Sequence, residues 1–474
     1  VSRGKAKTTT RIEAERVRPL NDDEPRSKGQ YVLYWMQQSQ RAEHNPALEY
    51  AVQQANEHDE RLLVAFGLMD DYPEANLRHY RFMVEGLADV AEALADRNIK
   101  FVVQQGHPAD VALRLSRRAT VVVCDRGYLR HQGSWRQRVA DEAGCEVVQV
   151  EGDVVVPVEE VTDKREYAAR TIRPKIQRQL SRFLVGLRAT TLGKDSTGLS
   201  VRGLDPSRPG RLLERLKLDR SVAPNPLFRG GTREARRLLR GFLKDRFARY
   251  DENRGRPETD DVSHMGRYLH FGQVSPVWLA LQIRDAAQGG KAGREGYLEE
   301  LVVRRELAQN FCAFEPDYDR YSALPDWAKR TLAAHRDDPR PHRYTKRRLE
   351  DARTHDPYWN AAMREMRYTG YMHNHMRMYW GKKILEWSNT PEHAYRVTLD
   401  LNNRYLLDGR DPNSFANVAW VFGNHDRPWT KRDVLGTVRY MSASGLERKC
   451  DIEAYVEKVD RLVDEVEAAR ADFV

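Results

Sequence analysis

The chain has 474 residues, with 79 Lys and Arg against 70 Asp and Glu, and a net charge of +9. Hydrophobic residues make up 40% and charged residues 31%, and no run approaches the ~18 apolar residues of a membrane span. These figures exclude an embedded membrane protein and fit a globular chain of two or three domains.

Residues 1–28, within "VSRGKAKTTTRIEAERVRPLNDDEPRSKGQ", hold many charges and no apolar signal core, and read as a flexible charged tail. From residue 29 apolar runs alternate with amphipathic stretches. "YVLYWM" (31–36), "RLLVAFGL" (61–68), "KFVVQQ" (100–105), "TVVVCD" (120–125) and "EVVQVEG" (146–152) read as strands. Helical patterns lie between them at 45–57, 76–97, 108–118 and 131–143, and Pro46 and Pro108 suit helix starts. This alternation predicts an α/β domain with a parallel sheet and helices on both faces over 29–158. Neither G-x-G-x-x-G after the first strand nor a P-loop is present, so a ligand of this domain is expected at the strand C-terminal ends.

Residues 159–228 read as a linker rich in turn formers around "TLGKDSTGLSVRGLDPSRPG". Over 229–474 strand signals vanish. "TREARRLLRGFLKDRFARY", "LEELVVRRELAQNF", "DPYWNAAMREMRYTG" and "MHNHMRMYWGKKILEW" all read as helices. The expected architecture is α/β plus all-α.

Cys124, Cys145, Cys312 and Cys450 stand far apart, which argues against a zinc knuckle or disulfide scaffold and suits a reducing compartment. Basic residues gather over 336–353 and over 425–450, where Arg427, Lys431, Arg432, Arg439, Arg448 and Lys449 stand against Asp426, Asp433 and Glu447. Such clusters suit phosphate backbones as well as plain solvated surface.

"GYMHNHMRMYWGKKILEW" (370–387) holds His373 and His375 among methionines and tryptophans. If 371–387 is helical, the two histidines stand about 200° apart in rotation and cannot share a metal. The same rotation puts Tyr371, Asn374 and Met378 on one side and Arg377, Trp380, Ile384 and Trp387 on the other. Core packing competes with function for these tryptophans. The following "LNNRYLLDGRDPNSFANVAWVFGNHDRPW" (401–429) is dense in Asn, Asp, Gly and Arg, a composition that suits a polar ligand site.

Together "MHNHMRM", "KKILEW", "LNNRYLLDGRDPN", "AWVFGNHDRPW", "RYLHFGQVSP", "EELVVRREL" and "KREYAARTIRPK" resemble the photolyase/cryptochrome flavoproteins, most closely class II cyclobutane pyrimidine dimer (CPD) photolyases. The resemblance covers about residues 30–465. It implies a Rossmann-like N-terminal domain, a C-terminal helical domain holding FAD in a U-shaped conformation, and light-driven repair of pyrimidine dimers by an electron from the excited, reduced flavin. Tyr250, Ser263, Met265, Gly266, Tyr371 and Asn413 are then expected around the flavin. Arg377 and Asp408 form an Arg–carboxylate pair beside its ring, and Asn402 lies near it. Trp359, Trp380 and Trp387 are the implied electron-transfer tryptophans. Glu300, Asn374, Met378 and Trp420 match lesion-pocket positions. Arg254 is a further lesion-side position, and Arg427, Arg432, Arg439 and Arg448 are expected on the DNA backbone.

The cradle motif, usually S-x-L-S-P-Y-L-H-F-G, here reads "SHMGRYLHFG", so Gly266 and Arg267 replace Ser and Pro. A second chromophore, deazaflavin or folate, is expected in the first domain, bordered by loops at Trp35–Arg41 and Asp125–Tyr128. UV-damaged DNA is the expected partner, with no metal, no membrane and a monomeric state. The location is cytoplasmic in a prokaryote and nuclear in a eukaryote. The alternative is a cryptochrome-like photoreceptor without repair. Glu300, Asn374, Met378 and Trp420 favour repair, as does a chain that stops soon after a charged helix at 452–471. A non-enzymatic nucleic-acid binder explains the basic clusters but not the flavin motifs.

Overall fold

A computed structural model describes residues 8–471. Five strands are parallel: β2 (Tyr31–Trp35), β3 (Leu62–Leu68), β4 (Lys100–Gln105), β5 (Ala119–Asp125) and β6 (Glu146–Val150). The helices α1 (Pro46–Glu57), α2 (Leu77–Ala95), α3 (Pro108–Ser116) and α4 (Arg130–Glu142) alternate with them. Alternate residues of β2 enter opposite cores: Val32 and Tyr34 pack with α1, and Tyr31, Leu33 and Trp35 with α3 and α4. Asn45 caps α1 by accepting from the Ala47 and Leu48 amides, with Pro46 at the first helical position.

The residues before β2 are not a loose tail. Val17–Pro19 form β1, antiparallel to β6, giving the order β1-β6-β5-β2-β3-β4. Arg16 is buried and donates to the carbonyls of Glu151, Val154 and Val155. A buried guanidinium satisfied by three carbonyls fixes the segment, a bond pattern that charge content cannot show. Residues 1–7 of the expected tail lie outside the described residues.

The linker is likewise structured. Within it α5 (Ala169–Phe183) buries Ala169, Ile172, Ile176 and Phe183 in the core of the helical domain. Leu212, Leu213 and Leu216 instead pack on the α2 side of the sheet. The segment therefore joins both units by hydrophobic contact.

The helical domain includes α6 (Gly266–His270), α7 (Gly290–Leu298), α8 (Arg305–Phe314), α9 (Pro357–Thr369), α10 (Asn374–Trp387), α11 (Pro391–Tyr405), α12 (Pro412–Val421), α13 (Ala443–Lys449) and α14 (Ile452–Ala471). Between α7 and α8 the helix continues through a widened π turn at Glu299–Arg304. Such turns carry one extra residue and recur at functional sites. Directly after it, Arg305 pairs with Asp153 at 2.8 Å, and Glu306 accepts from the amides of Val155 and Val156. Burial pushes the Glu306 carboxyl up to about 8.

Arg78 of α2 ties the two domains together. It is 1% exposed, and it donates to the carbonyls of Ala223, Met366, Arg367 and Tyr405. Met366 and Arg367 lie in the last turn of α9, and Tyr405 closes α11, so one cation serves two helix C-termini. Among the described residues, no helix is long and apolar enough to cross a membrane.

Candidate functional site

Helix α9 ends at Gly370, whose φ of 71° suits a residue without Cβ. The chain then turns, and His373 caps α10, its Nδ1 accepting from the His375 amide at 3.2 Å. His373 is thus outside the helix, and the rotation argument does not apply to it. Both histidines line one cavity, and α10 contributes Asn374, Arg377 and Met378 beside them. Arg377 therefore shares a wall with Tyr371, Asn374 and Met378, whereas Trp380, Ile384 and Trp387 do not line the cavity. Burial pushes His373 down to about 3 and His375 to about 4, so both rings are neutral at neutral pH. Among the described residues, no group of three or more His, Cys, Asp or Glu is placed to hold a metal.

The cavity measures about 650 Å³, within the range of small-molecule and cofactor sites. Tyr250, Ser263, Met265, Gly266, Tyr371, Arg377, Asp408 and Asn413 of the expected flavin set line it. Arg254, Glu300, Asn374 and Met378 of the expected lesion set line it too. Ser263 Oγ and Tyr297 Oη are 2.7 Å apart, which fixes the loop before α6. Arg377 Nε donates to Met372 O at 2.9 Å, and Nη2 donates to Asp408 Oδ2 at 3.0 Å. Asp408 Oδ1 also lies 3.0 Å from Arg377 Nη2, so the carboxylate straddles the cation.

A guanidinium held by a carboxylate at the wall of a cavity of this size fits a large polar ligand carrying negative charge. A Cβ on Gly266 would lie 3.1 Å from Asp408 Oδ2, so the glycine that replaces the usual serine lets Asp408 come close. Arg267 is 3% exposed and stacks on Phe228, 3.3 Å from the ring centroid, with Tyr371 at 5.5 Å. Neither of its Nη atoms has a hydrogen-bond partner. At the rim, Arg254 and Glu300 form a loose pair at 3.5 Å, both substantially exposed.

Asn402 does not line this cavity. It is buried on α11, where its Nδ2 donates to Asn403 Oδ1 at 3.1 Å. Asn403 in turn holds Glu74 and the Arg410 amide, so the "NN" pair is drawn toward the domain junction. Trp420 also stands off the cavity. It lies one helical turn beyond Asn417, which lines the cavity and was not singled out in the sequence.

The tryptophans form an ordered file. Trp380 lies one turn deeper than Arg377 on α10 and is buried. Trp359 of α9 stacks on it with centroids 6.4 Å apart and planes 12° apart, and its Nε1 donates to Trp380 O at 3.0 Å. Trp387 meets Trp359 edge-on at 5.6 Å. Tyr344, which sequence reasoning missed, meets Trp387 edge-on at 5.3 Å nearer the surface. Nothing in the local sequence around Tyr344 signals this contact.

Four of the basic residues expected on DNA lie outside the cavity. Arg427 and Arg439 flank the 37% exposed Trp429 at 5.0 and 4.4 Å, and Arg439 also lies 5.7 Å from Trp420. Arg432 stacks on Tyr440, and Arg448 is exposed on α13. Lys449, next to Arg448, does line the cavity. On the inner side of Trp420 the buried Lys382 amine sits 5.0 Å from the ring and donates to Val421 O.

Burial pushes Lys382 down to about 7, below the ordinary 10.5. Between those values the unfolded chain binds more protons, so stability rises with pH over about pH 7–10. Relative to Lys382→Met, the wild-type protein should gain about 1.4 kcal/mol per pH unit across that window. Thermal melts of both proteins from pH 7 to 10 check this, and parallel curves would refute it.

At the sheet's strand ends, Gln37, Gln38, Phe66, Met69, Tyr72, Tyr80 and Trp135 line a narrow pocket of about 80 Å³ with His270 and Arg410. Of the loops expected around a second chromophore, the first borders this pocket. Asp125 of the second instead supports it, its Oδ2 accepting from the amides of Gln37, Gln38 and Ser39. Tyr128 turns away to donate to Glu151.

Residues 32–192 match the DNA photolyase family. A deoxyribodipyrimidine photo-lyase of Methanothermobacter thermautotrophicus is 48% identical over 458 residues, covering 96% of this chain and 100% of that protein. The one of Potorous tridactylus is 36% identical, covering 95% of this chain and 85% of that protein. In structure, a bacterial class III photolyase from Agrobacterium tumefaciens superposes with a TM-score of 0.68 at 18% identity, covering 92% of this chain and 87% of that one. An archaeal photolyase from Sulfolobus tokodaii, solved with two FAD molecules, also gives 0.68, at 17% identity, covering 90% of this chain and 89% of that one. With relatives at this identity over nearly its whole length, and with the fold and cavity described above, the chain belongs to the DNA photolyase family.

Proposed function

We propose that this protein is a class II photolyase that repairs cyclobutane pyrimidine dimers in DNA. The observation that carries the reading is that Glu300, Asn374 and Met378 line the same cavity as Tyr250, Arg377 and Asp408. A cofactor and a lesion held there would share one space.

FAD fits the cavity, and when bound and reduced it supplies the light-driven electron that splits the cyclobutane ring. Ser263, Met265, Gly266 and Tyr250 would hold its polar backbone, with Tyr371 and Asn413 beside them. The Arg377 cation, anchored by Asp408 and Met372 O, favours negative charge next to it. Asn402 acts from behind Asn403 rather than at the cavity surface. Trp380, Trp359 and Trp387 carry electrons inward from the protein surface.

Enzymes that act on bases, photolyases among them, take the target out of the stack, at a lower cost for a damaged pair. A flipped dimer would meet Glu300 at the rim, where the carboxylate exchanges the weak Arg254 contact for the pyrimidine edge. Met378 supplies an apolar wall, and Trp420 continues it outward. Arg427, Arg432, Arg439 and Arg448 face the backbone, so affinity falls with salt uniformly across sequences. The strand-end pocket suits the aromatic body of an antenna chromophore, deazaflavin or folate, after side chains move. We assign a monomer acting on damaged DNA.

The test mixes reduced protein with UV-irradiated oligo(dT) and follows absorbance near the thymine maximum under blue light. Recovery in the light alone is expected. Glu300→Ala should lower the rate at limiting substrate by roughly 10–100-fold, the worth of a hydrogen bond to a charged group. Photoreduction without any recovery would instead support a cryptochrome-like photoreceptor.

A further inference from the structure

At the outer end of the tryptophan file, Tyr344 is held by two hydrogen bonds to one residue. Its Oη accepts from the His355 amide at 3.0 Å and lies 2.6 Å from His355 Nδ1. The His355 ring also meets Trp387 edge-on at 5.3 Å. On its other face it stacks on His342, with centroids 3.6 Å apart and planes 21° apart. Both histidines are exposed, whereas Trp387 is buried. Phenol and imidazole thus lead outward from Trp387 to the exposed His355 and His342, a path that the electron file alone does not need.

We propose that His355 is the proton acceptor that lets Tyr344 serve as the terminal electron donor, with His342 orienting its ring. This rests on reading the tryptophans as the electron path. Once Trp387 has given up an electron inward, it is a radical cation. Tyr344 refills it with one electron, and the phenolic proton moves from Oη to His355 Nδ1. The products are neutral Trp387, a neutral tyrosyl radical and a His355 imidazolium. The imidazolium releases a proton to water from Nε2. A thiol reductant in solution then returns one electron and one proton to Tyr344. The phenol is a poor electron donor unless its proton leaves with the electron, so a positioned base decides whether the hole stays on Tyr344.

The geometry requires Nδ1 to be an acceptor, and so requires a neutral ring. Desolvation and His342 hold His355 below its ordinary value, and Lys383 adds to this, while Asp356 and Glu386 oppose it. On the Tyr344 side, Arg348 lies 5.2 Å from the phenol ring. The ring is therefore unprotonated at neutral pH, and the tyrosine step fails only on acidification through the lowered His355 value.

Transient absorption of the flavin-loaded protein should show a tryptophan radical followed by a neutral tyrosyl radical, slowed in deuterated water. In Tyr344→Phe the tyrosyl signal should be absent. In His355→Phe the tryptophan radical should form at the normal rate while tyrosyl formation slows about 100-fold, the usual worth of a positioned base. In the dark, NMR titration of labelled histidines should show His355 titrating at higher pH in Tyr344→Phe, because its neutral form has lost a hydrogen bond. Unchanged tyrosyl kinetics in His355→Phe, or an unmoved His355 titration, would overturn the proposal. Absence of any tryptophan radical would instead overturn the electron path beneath it, and the dark titration still judges the Tyr344–His355 contact.

Discussion

Replacing Trp359 by Phe should slow photoreduction of the bound flavin by more than an order of magnitude, and leave repair by chemically reduced protein intact. Trp380 and Trp387 share one helix, seven residues and roughly 10 Å apart along its axis. Trp359 comes from the neighbouring helix and fills that gap, stacked on one and edge-on to the other. Tunnelling falls exponentially with distance, so removing the middle indole leaves electrons to cross the whole gap between Trp380 and Trp387. Phe keeps an apolar ring in the fully buried site but is harder to oxidise, and it loses the hydrogen bond to Trp380 O. Two measurements separate the roles: flavin bleaching under blue light with a thiol donor, and single-turnover repair after dithionite reduction. If both fell together, Trp359 would be a packing residue and the file would not be the electron path. An unchanged melting temperature of the loaded protein is not required, since each assay is normalised to bound flavin.

The second large effect concerns stability. Arg78→Met should destabilise the protein by roughly 3–5 kcal/mol, the cost of breaking a buried charge-assisted network. Methionine fills similar space but leaves the carbonyls of Ala223, Met366, Arg367 and Tyr405 without their donor. Three of those carbonyls close α9 and α11, and α9 carries Trp359. Chemical denaturation followed by tryptophan fluorescence should therefore show one earlier transition, and flavin should dissociate within it. A shift below about 1 kcal/mol, the usual size for a surface change, would mean that Arg78 does not hold the junction.

The sheet was legible in the sequence because its signal is local. Buried β-branched runs mark β2–β6, and prolines mark the starts of α1 and α3. The motifs around 370–429 placed the cavity walls on the right elements for a similar reason. What stayed hidden depends on partners distant in the chain. Arg16 and Arg78 look like ordinary surface cations until the carbonyls they serve are known. Tyr344 has no local pattern, and its meaning comes only from contact with Trp387. Asn402 carries the right residue type in the right motif, but Asn403 beside it fixes the pair toward Glu74. His373 has no helical phase because it is the cap residue, so the 200° separation from His375 does not hold, and both rings line one cavity.

The wide turn at Glu299–Arg304 has a consequence for how this chain tolerates change. Downstream, Arg305 and Glu306 are bolted to the 153–156 loop, so that end cannot turn. Upstream of the turn Tyr297 lines the cavity, and within it Glu300 does, with a phase set by one residue more than an α-helical turn holds. Deleting a single residue there would restore regular pitch and swing the upstream helix by about 100°. Loss of one link there would change the phase of every upstream side chain. Its specification is written in length before it is written in identity.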